Sequence, residues 1–301
     1  MEEMIQRIGL PIFIQIIIEC WNGIFLLIMI FSVINDKLSG KNNSLPQKLP
    51  LANEIIIFYT AILLYNTFDI LCCACSGDTS RFGIYTKQIS EICYFAVGAF
   101  QTLFFLQLIK KYIAEKNGLD ILKKITLAVQ LLHIPPLVLL AATPITNALD
   151  YFDEQNYYHG GDLYFVWYYV TIISFAYVIT VTISQRKKTT AFLFVVFAVS
   201  SIVPLVAFIC NFTYSGISFN NISVSITALI IYIFYEKYKA VFSVSNAVEL
   251  EKVKTQLAEN RLALEKANND VLMARIQPHF ISNSLMAIRA QCIDNPEVYK
   301  S

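Results

Sequence analysis

Long apolar runs separated by short polar segments fill the first 235 residues of the chain. A helix that crosses a bilayer needs about 20 mostly apolar residues. Seven runs meet or approach this length: residues 11–34, 51–75, 89–109, 125–142, 163–184, 190–212 and 217–235. The fourth run carries His133, Pro135 and Pro136, and membrane helices tolerate proline better than soluble helices do. The pattern predicts a seven-helix membrane region over residues 1–235.

From Glu236 onward the chain is polar, and its apolar positions recur every seven residues. The two positions of this seam are occupied by Leu250, Leu257, Leu264 and Val271, and by Val253, Asn260, Ala267 and Ala274. Such a seam is typical of a parallel two-stranded coiled coil, in which a polar residue such as Asn260 favours one register. We therefore predict a homodimeric signalling helix over residues 236–275. A single amphipathic helix packed on its own protein is the alternative.

The composition agrees with one region in the lipid bilayer and another in water. Of the 301 residues, 56% are hydrophobic and 15% are charged, which is too apolar for a soluble domain of this size. The first apolar run is longer than the core of a signal peptide and has no small-residue cleavage site after it. We therefore expect it to remain as the first span. The predicted fold is all-α: a membrane bundle, a coiled-coil helix and the start of a helical domain over residues 276–301.

Basic residues predict the orientation, because Lys and Arg concentrate in cytoplasmic loops. They follow spans one, three, five and seven, as Lys37, Lys41, Lys48, Lys110, Lys111, Lys116, Lys123, Lys124, Arg186, Lys187, Lys188, Lys237 and Lys239. The opposite side has only Arg7, Arg81 and Lys87, and the segment 143–162 is acidic. We expect the N-terminus outside and the C-terminus in the cytoplasm of a multi-pass cell-membrane protein.

His279 is the candidate reactive group of the tail. A neutral imidazole is nucleophilic near neutral pH, and Pro278 is expected to bend or interrupt the helix just before it. A histidine held out to solvent suits phosphoryl transfer, which needs positioning and charge stabilisation above all. An ordinary histidine of a cytoplasmic helix is the alternative.

The segment around His279 resembles the phosphoacceptor box of the LytS-like sensor histidine kinases, whose pattern includes P-H-F-x-x-N-x-L-x-x-I. The matching residues are Pro278, His279, Phe280, Asn283, Leu285 and Ile288. Ser282 stands where an aromatic residue is usual, and Met286 where asparagine is common. The resemblance implies that His279 accepts a phosphoryl group, with Pro278, Phe280 and Asn283 supporting it.

The same resemblance implies a two-component sensor kinase that takes phosphate from ATP with Mg²⁺ and passes it to an aspartate of a response regulator. The family's ATP-binding domain follows the acceptor helices, and residues 1–301 contain no P-loop or Gly-rich box that could replace it. We therefore expect these residues alone to bind no ATP and to be inactive as a kinase, as a piece of a longer enzyme would be. No nucleic-acid partner is expected. The competing hypothesis is a non-catalytic membrane receptor or scaffold whose tail only dimerises or binds a partner.

Ionisable side chains inside spans are costly and often functional. Glu19, Asp69 and Glu91 fall in the predicted outer halves of spans one to three. With Asn211, Asn220 and Asn221 they are candidates for an outward-facing sensing pocket beneath the aromatic segment 143–169. Alternatively, Glu91, Asn220 and Asn221 cap helices at the headgroup level, and the aromatic residues form an interface belt.

Three further features favour structural roles. His133 is a candidate proton-sensing group or hinge, although a buried, hydrogen-bonded histidine is the simpler expectation. His159 is expected to be a solvated loop residue. The Cys72-Cys73-Ala74-Cys75 run has no second pair of ligands, so small residues at a helix end explain it better than a metal site.

Overall fold

The structure, a computed structural model, describes residues 2–42, 52–115, 118–213 and 218–294. In chain order its elements are α1 (Glu2–Ile8), α2 (Leu10–Asn42), α3 (Ala52–Ala74), α4 (Arg81–Ile109) with a π-helical turn (Lys110–Glu115), α5 (Asp120–Leu131), α6 (Ile134–Thr146), β1 (Asp150–Phe152), β2 (Tyr158–Gly160), α7 (Tyr164–Ser184), a 3₁₀ turn (Arg186–Lys188), α8 (Ala191–Thr213) and α9 (Phe219–Asp294). The chain divides into two units, residues 1–238 and 239–301. Lys48 and Lys116, two of the lysines assigned to the cytoplasmic side, lie outside the described residues, as do residues 295–301 of the predicted acceptor segment.

Seven helical stretches in the described part of the chain are long and apolar enough to cross a membrane. They correspond one to one with the seven predicted spans, and the structure is 88% helical. The prediction of a helical, multi-pass membrane protein is therefore confirmed. Large apolar side chains such as Phe25, Phe31 and Ile28 are exposed on α2, as expected for a helix that faces lipid.

The third span begins earlier than predicted. Instead of starting near residue 89, α4 starts at Arg81, where the Ser80 Oγ accepts a hydrogen bond of 3.0 Å from the Gly83 N–H. A serine in this position satisfies one of the free N–H groups of a helix start. The prediction missed the first turns because Lys87 and Gln88 interrupt the apolar run.

The fourth span consists of two helices, which the single run 125–142 did not predict. Helix α5 ends at Leu131, and α6 begins at Ile134, with Pro135 and Pro136 in its first turn. Proline is well suited to the first turn, since its missing N–H would have no helical partner there. The prolines therefore start a second helix and do not lie within one continuous helix.

A short hairpin departs from the all-α prediction. Strands β1 and β2 pair antiparallel between α6 and α7, with Asp150 opposite Gly160 and Phe152 opposite Tyr158. Gly161 follows at a point where a Cβ atom would lie 2.5 Å from the Ala148 carbonyl oxygen. Only glycine fits such a close approach.

The main apolar core of the first unit joins residues of α2, α3, α4, α5, α7, α8 and α9. Its fully buried members include Leu26, Val33, Tyr59, Ile62, Leu106, Ile109, Phe197, Ile231 and Tyr235. Tyr59 also donates a 3.1 Å hydrogen bond from its hydroxyl to the Ala228 carbonyl oxygen. This core fixes the relative positions of the helices that carry the buried polar groups of the membrane unit.

In the second unit, the residues that the structure describes belong to α9. The predicted seam residues Leu250, Val253, Leu257, Asn260, Leu264 and Val271 are all exposed there. The seam is therefore unpaired in the single chain, and pairing with a second chain stays a prediction.

Candidate functional site

The candidate acceptor His279 lies on α9 and is exposed to solvent. Asn283 is one turn further along the same helix, and its Nδ2 lies 3.0 Å from the His279 Nδ1, to which it can donate. Residues four apart share a helix face, so the helical backbone itself brings the two side chains together. Donation from the Asn283 Nδ2 to Nδ1 places the imidazole proton on Nε2. A half-turn of the amide would instead let its Oδ1 accept from Nδ1–H and would leave the lone pair on Nε2.

The predicted interruption at Pro278 does not occur. Helix α9 continues through this proline to Asp294. Proline removes one helical N–H and is unfavourable within a helix, but here the segments on both sides remain helical. Phe280 is exposed beside His279, so the described box residues form an accessible helical surface.

A buried polar cluster lies in the membrane unit and joins α2, α3 and α9. Gln15 and Glu19 are four residues apart on α2, and the Gln15 Nε2 donates to the Glu19 Oε1 over 2.9 Å. The same nitrogen donates to the Asp69 Oδ2 of α3 over 2.7 Å. The two carboxyl groups, far apart in sequence, therefore share one amide donor.

Asn221, at the start of α9, is the second bridge of this cluster. Its Nδ2 donates to the Glu19 Oε1 over 2.6 Å and to the Asp69 Oδ2 over 2.5 Å. Its Oδ1 accepts from the Tyr94 hydroxyl over 3.2 Å, and that hydroxyl accepts from the Tyr65 hydroxyl over 2.6 Å. Asn221 is completely buried, so it contacts the neighbouring helices and not solvent.

The charge of the cluster needs compensation. Glu19 and Asp69 are both buried, and burying carboxylates in a bilayer without a counter-charge is costly. Among the contacts that the structure describes for these two carboxyl groups, none involves Lys or Arg. The arrangement suits a shared proton held between two carboxyl groups and two amide donors. Asn211 and Asn220, the other two predicted members, form no described contact with either carboxyl group.

Glu91 lies about three turns into α4 and is buried. The Cys72 Sγ donates to its Oε2 over 2.6 Å. Glu91 therefore faces the interior of the bundle, ten residues after the start of its helix. The described residues contain no group of three or more His, Cys, Asp or Glu side chains that could hold a metal ion. The Cys72-Cys73-Ala74-Cys75 run therefore belongs to no such group there.

The sequence did not predict the role of Lys87, which lies in α4 and is only 1% exposed. Its Nζ donates to the Asn156 carbonyl oxygen over 2.5 Å and lies 5.0 Å from the centre of the Phe152 ring. The Asn156 Nδ2 in turn donates to the carbonyl oxygens of Cys75 and Asp78. These bonds attach the hairpin to the end of the helical bundle at which α3 is followed by α4.

The two other histidines have structural partners. His133 is buried at the break between α5 and α6, and its Nδ1 lies 3.2 Å from the Val129 carbonyl oxygen, as a structural histidine requires. His159 is largely exposed, and its Nε2 lies 2.9 Å from the Asp153 Oδ2. The hydrogen bond from His159 lowers the pKa of the Asp153 carboxyl.

Asp150 gives the hairpin a testable pH dependence. This residue is buried in β1, and burial raises the pKa of its carboxyl to about 6. The folded hairpin therefore retains a proton that the unfolded chain, with an Asp pKa near 3.9, releases at lower pH. Between about pH 4 and pH 6 the stability of the hairpin should fall as the pH rises, by about 2 kcal/mol, and should change little above that range.

Amide hydrogen exchange at residues 150–160 would measure this trend. The Asp150→Asn variant should lose this pH dependence, while the His159–Asp153 pair should still contribute to the stability of the hairpin. If wild type and variant show the same pH profile, Asp150 does not control the stability of the hairpin.

Comparison with known proteins adds no assignment to these sites. No protein-family model, no curated protein and no solved structure matches the chain. A class can be assigned from the fold: the chain is a helical multi-pass membrane protein. Its function has to be argued from the geometry of its own residues.

Proposed function

We propose that the chain is the sensor and phosphoacceptor part of a membrane histidine kinase, in which His279 accepts phosphate and passes it to a response-regulator aspartate. The observation that carries the proposal is the exposed His279 imidazole, with the Asn283 amide 3.0 Å from its Nδ1. His279 and Asn283 are also the two polar positions of the box that resembles LytS-like kinases. An exposed, oriented imidazole suffices on the acceptor side of phosphoryl transfer.

The nitrogen that reacts follows from the orientation of Asn283. If the Asn283 amide turns by 180° from its position in the structure, so that its carbonyl oxygen accepts from Nδ1–H, Nε2 carries the lone pair and can attack the phosphoryl donor. The Nε2–phosphorus bond then forms as the bond between the γ-phosphorus and the bridging oxygen of ATP breaks, and ADP leaves. The imidazole returns to neutrality by losing the Nδ1 proton. ATP with Mg²⁺ would be bound by a separate ATP-binding domain, as the family resemblance implies.

The proposed orientation places the tail in the cytoplasm. Its support is the concentration of Lys and Arg at one set of helix ends, which includes the Arg186–Lys188 turn. Lys111, after α4, pairs with Glu54 at the start of α3 over 2.7 Å. This contact places the end of α4 beside the start of α3, as the alternating topology requires.

The experiment that tests the proposal uses the full chain fused to an ATP-binding domain of a LytS-like kinase and incubated with γ-labelled ATP. Trypsin cleaves after Arg275 and Arg289, so residues 276–289 form one peptide that contains His279. We expect the label on this peptide, and we expect it to be acid-labile and alkali-stable, as a phosphoramidate is. Acid-stable label on Ser282 or Ser284, or no label on the peptide, would overturn the proposal and favour the non-catalytic receptor.

The proposed homodimer predicts a cross-linking pattern along α9. In a chain with Cys292→Ser, the Leu257→Cys variant should form an intermolecular disulfide readily, because the seam brings this position against its own copy. Thr255→Cys, which is exposed and lies on the opposite face of the heptad, is the matched control and should cross-link far less. The yield of cross-linked dimer in native membranes measures this. Equal yields at both positions would show that the seam is not the dimer contact.

A further inference from the structure

A second internal site lies in the membrane unit, separate from the cluster around Glu19 and Asp69. It is a cavity of about 120 Å³ among α3, α4, α6, α7, α8 and α9, next to the break between α5 and α6. An engineered apolar cavity of roughly 150 Å³ admits benzene. The cavity is somewhat smaller than that one, so a single six-membered ring with at most a small substituent is the largest ligand that we expect it to hold.

The wall of this cavity contains unused hydrogen-bonding groups. Within the described part of the chain, the Gln101 Nε2 and the Thr227 Oγ1 are buried and have no hydrogen-bond partner. The two residues are only 8% and 2% exposed, respectively. Leaving such groups unpaired costs about 1–3 kcal/mol each. Both atoms are covered in the structure, so a bound molecule would become their partner after a small rotation of the two side chains.

Pro204 leaves a third group without its usual partner. Proline has no N–H, so the Ser200 carbonyl oxygen, four residues earlier in α8, lacks the donor that a helix normally provides. Ser200 and Pro204 both line the cavity. The residues that carry an unpaired donor, an unpaired acceptor and a hydroxyl therefore all belong to the wall of one cavity.

The other residues of the cavity wall indicate the charge and the aromatic character of the ligand. It is largely aromatic, with Phe58, Phe105, Trp167, Tyr168, Phe175 and Phe208. None of the described residues around the cavity is Lys, Arg, Asp or Glu, and an unpaired charge would be costly there. Aromatic walls favour aromatic ligands through edge-to-face contacts.

We propose that this cavity binds a small, neutral, monocyclic aromatic molecule that carries a hydroxyl group. The hydroxyl oxygen accepts from the Gln101 amide, and its proton is donated to the Thr227 hydroxyl or to the Ser200 carbonyl oxygen. The proposal that this ligand is the stimulus of a sensor rests on the proposed kinase function. As a binding site, the cavity can be tested without phosphorylation.

The test uses phenol as the probe and the full chain in lipid nanodiscs. The chain has two tryptophans. In a Trp21→Phe background the emission of Trp167, which lines the cavity, reports on binding. We expect saturable quenching by phenol. Thr227→Val, which keeps the side-chain volume, and Gln101→Leu should each weaken phenol binding about five- to tenfold. Benzene, which needs neither group, should bind both variants at least as well as wild type, and this also shows that they fold.

Ala99→Phe is the control for the location, because Ala99 lines the cavity and a phenyl group would fill it. This variant should lose saturable binding of both probes. Absence of saturable phenol binding to the wild-type chain, or phenol binding unchanged in Ala99→Phe or in Thr227→Val, would overturn the proposal; the first result would indicate a cavity filled by water or lipid. His279→Gln should bind phenol as wild type does, so a failure of the kinase proposal would not affect this result.

Discussion

Replacing Asn221 by leucine should strongly destabilise the membrane unit. Leucine removes the donations to Glu19 and Asp69 and the acceptor for the Tyr94 hydroxyl. Interhelical hydrogen bonds in membranes contribute about 0.6 kcal/mol each on average. Here, however, two buried carboxyl groups lose a donor at once, and each must be compensated. We expect a loss of about 3 kcal/mol and a clear fall in the melting temperature.

Asn220→Leu is the matched control, because the neighbouring side chain is of the same type but is only half-buried and has no described contact with the carboxyl pair. Thermal unfolding of the purified full chain in detergent, followed by circular dichroism, would compare the two variants. Combining Asn221→Leu with Asp69→Leu should restore part of the lost stability, since one carboxyl group is then absent. Equal melting temperatures for Asn221→Leu and Asn220→Leu would contradict the assignment of Asn221 as the bridge.

The number and type of the membrane helices could be predicted from the sequence because the signal is long and local. Each span is a run of about 20 apolar residues, and the basic residues alternate between the ends of the runs. The start of α4 could not be predicted in this way. A lysine next to an apolar run usually indicates a loop, and the burial of Lys87 depends on its partners on the hairpin, which are distant in sequence. The break between α5 and α6 was signalled by Pro135 and Pro136, but proline alone does not distinguish a kink from a new helix start.

The candidate sites depend on contacts that are distant in sequence. Glu19 and Asp69 were recognised as costly residues within spans, but their shared donors Gln15 and Asn221 are polar residues of ordinary appearance. Gln101 was not noticed, because a single glutamine in an apolar span has no local pattern. His279 was predicted from a short motif, and the helix confirms that Asn283 lies close enough to contact it. The hairpin strands have only three residues each, and no periodicity can develop over such a length.

Loss of His279 should have the largest effect on the proposed activity. The chain has three histidines. His133 is buried in the membrane unit, and His159 is paired with Asp153 on the hairpin. His159 is also exposed and has an orienting partner, but the proposed orientation would put the hairpin on the outer side of the membrane, away from a cytoplasmic ATP-binding domain. Glutamine has no ring nitrogen that could form a phosphoramidate, so His279→Gln should reduce acid-labile labelling to background. His159→Gln should leave the labelling near the wild-type level.

The Asn283→Ala variant tests whether the amide orients the imidazole, because it removes the amide and leaves the nucleophilic ring in place. Without the amide, the imidazole remains but rotates more freely, so labelling should become slower while still reaching His279. Restoration of the rate by Asn283→Asp would show that an oxygen accepting from Nδ1–H is the orienting group, because aspartate has no N–H to donate. An unchanged rate in Asn283→Ala would show that the amide has no role in phosphoryl transfer.

The most direct test of the central claim is therefore the initial rate of phosphohistidine formation in full-length fusions with wild-type His279, with His279→Gln and with His159→Gln. All three fusions should be prepared in the same nanodiscs with the same ATP-binding domain. We expect label on residues 276–289 for wild type and His159→Gln, and none for His279→Gln. Undiminished labelling of the His279→Gln fusion would contradict the proposed role of His279 as the phosphoacceptor.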